Sequence, residues 1–319
     1  MAQLIKLQNY ISRYENDLFH YPARYVRLKK QEWRRFQEKW AHHQAVSFIE
    51  PIQLEDDWMI EPEKERTGFF RSFFSKKECQ LSGEESIQKA EDTPMFSINE
   101  TESTFLHTEE DAKKLFVEKM YQFQVKWASS TLLHKSPLDH KYYVDERLKF
   151  LLQRLPDTFL VFYEPVLRFQ KATVELDIVI MTPIEVWCLT FLEEQNDAVF
   201  SGTAERFWTK RYGEAESKLL SPVVSLSRTE TLVNKLLRYE QIDLPVRKAI
   251  LSRNGYIDYP SAPAGIDYID KRAFDTWFHY MRKVSSPLKM IQLKAAKALL
   301  DHADTISIRR PEWEEEESK

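Results

Sequence analysis

Apolar residues along this chain recur at helical spacing in some stretches and run together or alternate in others. Leu4, Leu7, Ile11, Tyr14 and Leu18 predict a helix over residues 1–20 with one narrow apolar stripe. Tyr21-Pro22 breaks it. A second helix is predicted over residues 23–43, with Trp33, Phe36 and Trp40 on one side. Periodicity then weakens until Thr108-x-x-Asp111, which resembles a capping box, and Leu115, Met120, Phe123 and Trp127 carry an apolar face onward. Val144, Leu148, Leu151, Leu152 and Leu155 predict a further helix that ends at Pro156-Asp157. In projection Asp145 falls at the edge of that stripe and Glu146 nearly opposite it.

Strand-like patterns follow. TFLVFYEPVLRF, residues 158–169, reads as one strand. Residues 173–194, TVELDIVIMTPIEVWCLTFLEE, read as two apolar, β-branched strands about a turn at Thr182-Pro183. Alternation puts Glu175 and Asp177 on one face of the first strand, and Cys188, Thr190 and Leu192 on one face of the second. A lone Asp177 inside an apolar strand is costly unless paired, hydrogen-bonded or bound to a metal. Residues 198–202 and 246–251 read as further strands, with a turn at Asn254-Gly255. Ser227-x-x-Glu230 predicts a helix start before Leu232, Val233, Leu236 and Leu237. Helices over residues 270–282 and 287–302 close the pattern, the last capped by Ser286. The overall expectation is an α/β protein with a mixed central sheet flanked by helices and an N-terminal helical extension.

Four segments result: a helical part over residues 1–45, a connector over 46–108, an α/β domain over 109–302, and an acidic tail over 303–319. Charge sharpens the second boundary. The net charge is −4, yet residues 46–110 hold 16 Asp or Glu against 6 Lys or Arg, and the rest of the chain is mildly basic. Such composition with little periodicity predicts disorder in the connector. Within it Phe69, Phe70, Phe73 and Phe74 fall on one face of a short helix, a docking motif for a protein partner or a membrane surface. In the second helix Arg24, Arg27, Lys29, Lys30, Arg34 and Arg35 form a basic surface suited to nucleic-acid phosphates or another anionic surface. No stretch reaches the length of a membrane span, and the first residues lack a signal pattern, so a cytoplasmic protein is expected. Only 6 glycines occur, and no P-loop or dinucleotide fingerprint is present. Cys79 and Cys188 lack metal-type spacing, and His134, Asp139 and His140 match no metal site.

The order helix–strand–strand–strand–helix–strand, with Asp177 in the second strand, resembles the nuclease-related domain (NERD), a PD-(D/E)XK-like fold. The resemblance covers residues 140–282, including Asp145 before Leu148 and Leu152, the strands LDIVIMTP and VWCL, Phe200-Ser201-Gly202 with Trp208 downstream, and Ser221-Pro222 before a helix. It implies a divalent metal held by the strand Asp and by a Glu-x-Lys that follows on the next strand. Those two positions are Thr190 and Leu192 here, and the family's Asn-Pro, Gln and His fall on Ser221-Pro222, Ser225 and Thr229. The implied protein is a degenerate, non-catalytic relative that binds nucleic acid or serves as a scaffold, with Asp177 and Asp145 as remnants and no cofactor. The alternatives are an active Mg²⁺- or Mn²⁺-dependent nuclease in which Glu175 and Glu194 join Asp177 in a relocated acidic site, and a peripheral membrane or partner adaptor that works through the basic first helices and the Phe cluster.

Overall fold

In a computed structural model, residues 1–47, 108–169, 172–284 and 286–310 are described. The acidic segment with Phe69, Phe70, Phe73 and Phe74, and residues 311–319 of the tail, lie outside them. Residues Met1–Lys29 and Lys114–Lys319 form one compact unit, and Lys30–Lys113 form a second.

The first correction concerns the N-terminus. Gln3–Leu7 is a strand, β1, buried along its whole length, and Arg13–Glu15 is a single 3₁₀ turn. Five residues, QLIKL, carry too little periodicity to separate strand from helix. Pairing decides it: β1 lies parallel to β3 (Leu160–Tyr163). The helical extension therefore begins only at α1, Tyr21–Ser47. Lys6, fully buried in β1, is satisfied by Glu15 Oε1 and Thr305 Oγ1, each at 2.6 Å.

α2 (Glu109–Trp127) starts at the expected cap, where the Thr108 hydroxyl accepts from Asp111 N at 3.2 Å. A short β2, His134–Lys135, follows. The helix expected across residues 144–155 is split. α3 (Lys141–Val144) ends before Asp145, and α4 (Glu146–Arg154) begins after it. Val144 is left exposed, whereas Leu148, Leu151 and Leu152 are buried as the stripe requires. Residues 158–169 give two strands instead of one, β3 and β4 (Val166–Phe169), because Glu164-Pro165 turns the chain, with Glu164 at φ 48°.

The stretch around Asp177 is also divided. β5 (Ala172–Glu175) pairs only with β4, and β6 (Ile178–Met181) enters the central sheet. β7 (Val186–Phe191) follows the turn at Thr182. β8 (Val199–Ser201) leads into a hairpin of β9 (Phe207–Tyr212) and β10 (Ala215–Leu220), which the apolar pattern did not signal because most of its side chains face water. α5 (Pro222–Tyr239) begins at Ser221-Pro222, so Ser227 lies inside it and caps nothing. β11 (Val246–Leu251), β12 (Tyr256–Asp258) and β13 (Asp267–Ile269) precede α6 (Phe274–Lys283) and α7 (Met290–Asp301). The N-cap of α7 is Lys289, not Ser286. β14 (Ile308–Arg309) pairs with β2, so part of the expected tail is structured.

The central sheet runs β1-β3-β6-β7-β11-β13. β6 runs antiparallel to both of its neighbours, β3 and β7, and β11 joins β7 in parallel after the α5 crossover. A second sheet runs β10-β9-β8-β12. Here Gly255 is needed, since a Cβ would lie 2.6 Å from the Ala198 carbonyl oxygen. Strand parity divides the core into two layers. Val179, Met181, Val186, Cys188 and Leu192 pack toward α5 and α7. Ile178, Ile180, Trp187, Leu189 and Phe191 pack toward α2, α4 and α6. This is an α/β fold with helices on both faces of a mixed sheet.

Candidate functional site

Asp177 sits where the chain leaves β5 and enters β6. Its amide is free of the ladder and donates to Thr229 Oγ1 at 2.9 Å. The Thr229 hydroxyl in turn donates to Asp177 Oδ2 at 3.0 Å. Thr229 is fully buried on the inner face of α5, one turn beyond Ser225. Burial raises the Asp177 carboxyl above its ordinary value, against the opposing pull of the Thr190, Thr229 and Ser225 hydroxyls and the Arg228 charge. Thr190 favours the ionised carboxylate, yet its Oγ1 makes no hydrogen bond of normal geometry and is buried without a partner. Ser225 donates its own proton to the Pro222 carbonyl at 3.1 Å.

The neighbouring charges are already committed. Lys248 on β11 pairs with Glu230 on α5 at 2.9 Å. Arg228 Nη2 donates to the Glu175 carbonyl at 3.3 Å. Burial pushes the Cys188 thiol up, reinforced by Glu230 and Asp177, so it is an inert core group at neutral pH. A Mg²⁺ or Mn²⁺ ion needs several hard, preferably anionic oxygens. One carboxylate bonded to Thr229 and ringed by neutral hydroxyls does not fit such an ion.

The other expected site residues lie elsewhere. Asp145 is the N-cap of α4. Its Oδ1 accepts from Arg147 N at 2.9 Å and Leu148 N at 3.1 Å, and its Oδ2 accepts from Tyr163 OH at 2.7 Å. Its proximity to the helix stripe in sequence reflects capping. Glu194 lies beyond the end of β7 and is ion-paired with Lys210 on β9. Glu175 is exposed on β5, since the break at Asp177 interrupts the parity that seemed to join them. The relocated acidic site is thus not assembled: among the described residues, no group of three or more His, Cys, Asp or Glu is arranged to hold a metal. His134 lies in β2, and Asp139 accepts from Lys141 N at 3.0 Å.

On α1, Arg24 and Arg27 are exposed in the first unit, while Lys29 pairs with Asp157 at 2.6 Å. In the second unit Lys30 and Arg34 are exposed and Arg35 pairs with Glu32 at 3.1 Å. Among the described residues no helix is long and apolar enough to cross a membrane.

No protein-family model matches this chain, and no solved structure matches it. A curated RNA 2',3'-cyclic phosphodiesterase of Geobacillus stearothermophilus is 48% identical over 40 residues, which is 12% of this chain and 13% of that protein. The chain therefore matches about an eighth of that relative's length, a stretch too short to show a family.

Proposed function

We propose that residues 140–282 form a nuclease-related type of domain that has lost its cutting chemistry, and that the protein acts in the cytoplasm by holding nucleic acid. One observation carries this reading. Thr190, Ser225 and Thr229, which stand at the positions of the family's Glu, Gln and His, lie beside the half-buried Asp177, and Thr229 hydrogen-bonds it. That these three positions lie near Asp177 supports the reading, with hydroxyls standing where the resemblance implies charged or stronger polar groups. Hydroxyls cannot supply the second anionic ligand of a metal or the cation that stabilises developing charge. Exposed Arg24 and Arg27, and the mildly basic remainder outside residues 46–110, support phosphate contact as the retained role.

The test uses the full chain with linear DNA and RNA in Mg²⁺ and in Mn²⁺, followed by binding titrations at several salt concentrations. No cleavage above that of Asp177→Asn, with affinity falling as salt rises, is the expected result. Cleavage that Asp177→Asn abolishes would overturn the loss of catalysis. Salt-independent or undetectable binding would overturn the nucleic-acid role in favour of a scaffold.

A further inference from the structure

About six residues beyond Thr229 along α5, roughly 9 Å at the helical rise, lies a cleft that the Asp177 site does not use. It measures about 470 Å³ and is lined by Phe169, Lys235, Leu236, Arg238, Tyr239 and His302. Three elements meet there: the end of β4, the last turns of α5 and the C-cap of α7. No sequence motif marks it, because the residues come from three distant places in the chain.

Its chemistry is uneven in an informative way. Leu236 is buried and supplies an apolar floor. The His302 ring stacks on Phe169, with centroids 6.3 Å apart and planes 29° apart, and is held by Nδ1 donating to the Ala298 carbonyl at 2.9 Å. Tyr239, at the rim, is 77% exposed, the highest value among the large apolar side chains of the described residues. Lys235 and Arg238 are exposed, and neither side chain forms an ion pair or hydrogen bond among the described residues. Several other cations of this unit are matched, Arg253 with Glu193, Arg247 with Asp267 and Lys271 with Asp197, and those without an ion pair among the described residues, such as Arg24 and Lys218, do not line this cleft. No carboxylate lines the cleft. A cation in the last turn of a helix complements the helix dipole, which accounts for Arg238 alone. It does not account for Lys235, nor for the Phe169, His302 and Tyr239 rings lining the same cleft.

We propose that this cleft binds one nucleotide, its base against the Phe169, Tyr239 and His302 rings and its phosphate against Lys235 and Arg238. The volume falls within the range of small-molecule sites. Aromatic side chains accept any base by its face, and Arg and Lys suit the phosphate. A free mononucleotide and a nucleotide within a single strand share this chemistry. The cleft does not depend on the nucleic-acid role proposed above, and a free nucleotide suffices to fill it.

Calorimetric titration of the full chain with adenosine 5′-monophosphate, adenosine, inorganic phosphate and a short 5′-phosphorylated single strand tests it. The monophosphate is expected to bind more tightly than either of its parts. Lys235→Ala combined with Arg238→Ala is expected to weaken it by at least about tenfold, with the melting temperature unchanged. Tyr239→Ala, at a position in water, provides a second variant that cannot fail by unfolding, and weaker monophosphate binding is again expected. A strand that binds tighter than the monophosphate identifies a strand as the natural occupant, and equal binding identifies the free nucleotide. Monophosphate binding that persists where long nucleic acid fails to bind would remove the nucleic-acid role and leave the cleft standing. Monophosphate affinity no better than that of inorganic phosphate, or unaffected by the variants, refutes the proposal.

Discussion

The two-way bond between Thr229 and Asp177 is a sensitive place to perturb this fold. Thr229→Val keeps the shape of the side chain and removes only the hydroxyl. Two groups then lose a partner. The Asp177 amide, previously bonded at 2.9 Å, is left unsatisfied beside the core, and the carboxylate loses its bond at 3.0 Å. A stranded buried donor costs about 1–3 kcal/mol and a hydrogen bond to a charged group contributes about 1.5–3 kcal/mol. With partial relaxation, a loss of about 2–4 kcal/mol is expected. In a unit of this size that lowers the melting temperature by roughly 5–15 °C. Thr229→Ser makes the comparison decisive. It keeps the hydroxyl and removes one methyl, about 1 kcal/mol of burial. Urea denaturation and thermal melting of both variants at neutral pH give the order directly. Valine should be the more damaging. If serine costs more than valine, packing of the methyl dominates and the hydrogen-bonded account of Asp177 is wrong.

Asp177→Asn should reveal the titration of this carboxyl. Its ordinary value is 3.8 and burial raises it in the folded protein, so between those two values the native state binds a proton that the unfolded chain does not. Wild-type stability therefore falls as pH rises through that window and levels off above the folded value, whereas the Asn variant lacks this slope. Urea midpoints for the pair from pH 3 to 7 (a range of about four units around that window) should diverge in favour of Asn as pH rises, and parallel curves would contradict a raised value. The double change Thr190→Glu, Leu192→Lys should cost about 1.5–3 kcal/mol through loss of Leu192 burial while placing a second carboxylate beside Asp177. Mn²⁺ should then raise its melting temperature more than the parent's, and an equal response would show that residues 177, 190 and 192 do not form one site. Leu4→Ala should cost about 2–5 kcal/mol, as a core deletion does, measured by global unfolding; a negligible loss would mean that β1 is not an integral strand.

Much of the sheet was legible in the sequence because its strands are buried on both sides and bounded by turn residues. Alternation at Cys188, Thr190 and Leu192 against Trp187, Leu189 and Phe191 correctly divided β7 between two core layers. The strand at 246–251 and the Asn254-Gly255 turn were equally readable, the latter because a close backbone approach demands glycine. Likewise the cap at Thr108 was visible, since its partners lie within one turn of sequence.

Tertiary structure alone decided the rest. Local pattern cannot tell whether QLIKL finds a strand to pair with; its spacing predicts a helix, and Leu160–Tyr163 makes it a strand by supplying the partner. It cannot show that Glu164-Pro165 and Leu176-Asp177 interrupt apolar runs, because both breaks occur where the chain passes from one sheet to another. Nor can it place carboxylates. Asp145, Asp177 and Glu194 looked alike as candidates, yet one caps a helix, one is enclosed by hydroxyls and one pairs with Lys210 in water. What a carboxylate does depends on which donors the folded chain brings within about 3 Å of it, and these range from the next helical turn for Asp145 to Thr229, 52 positions along the chain, for Asp177.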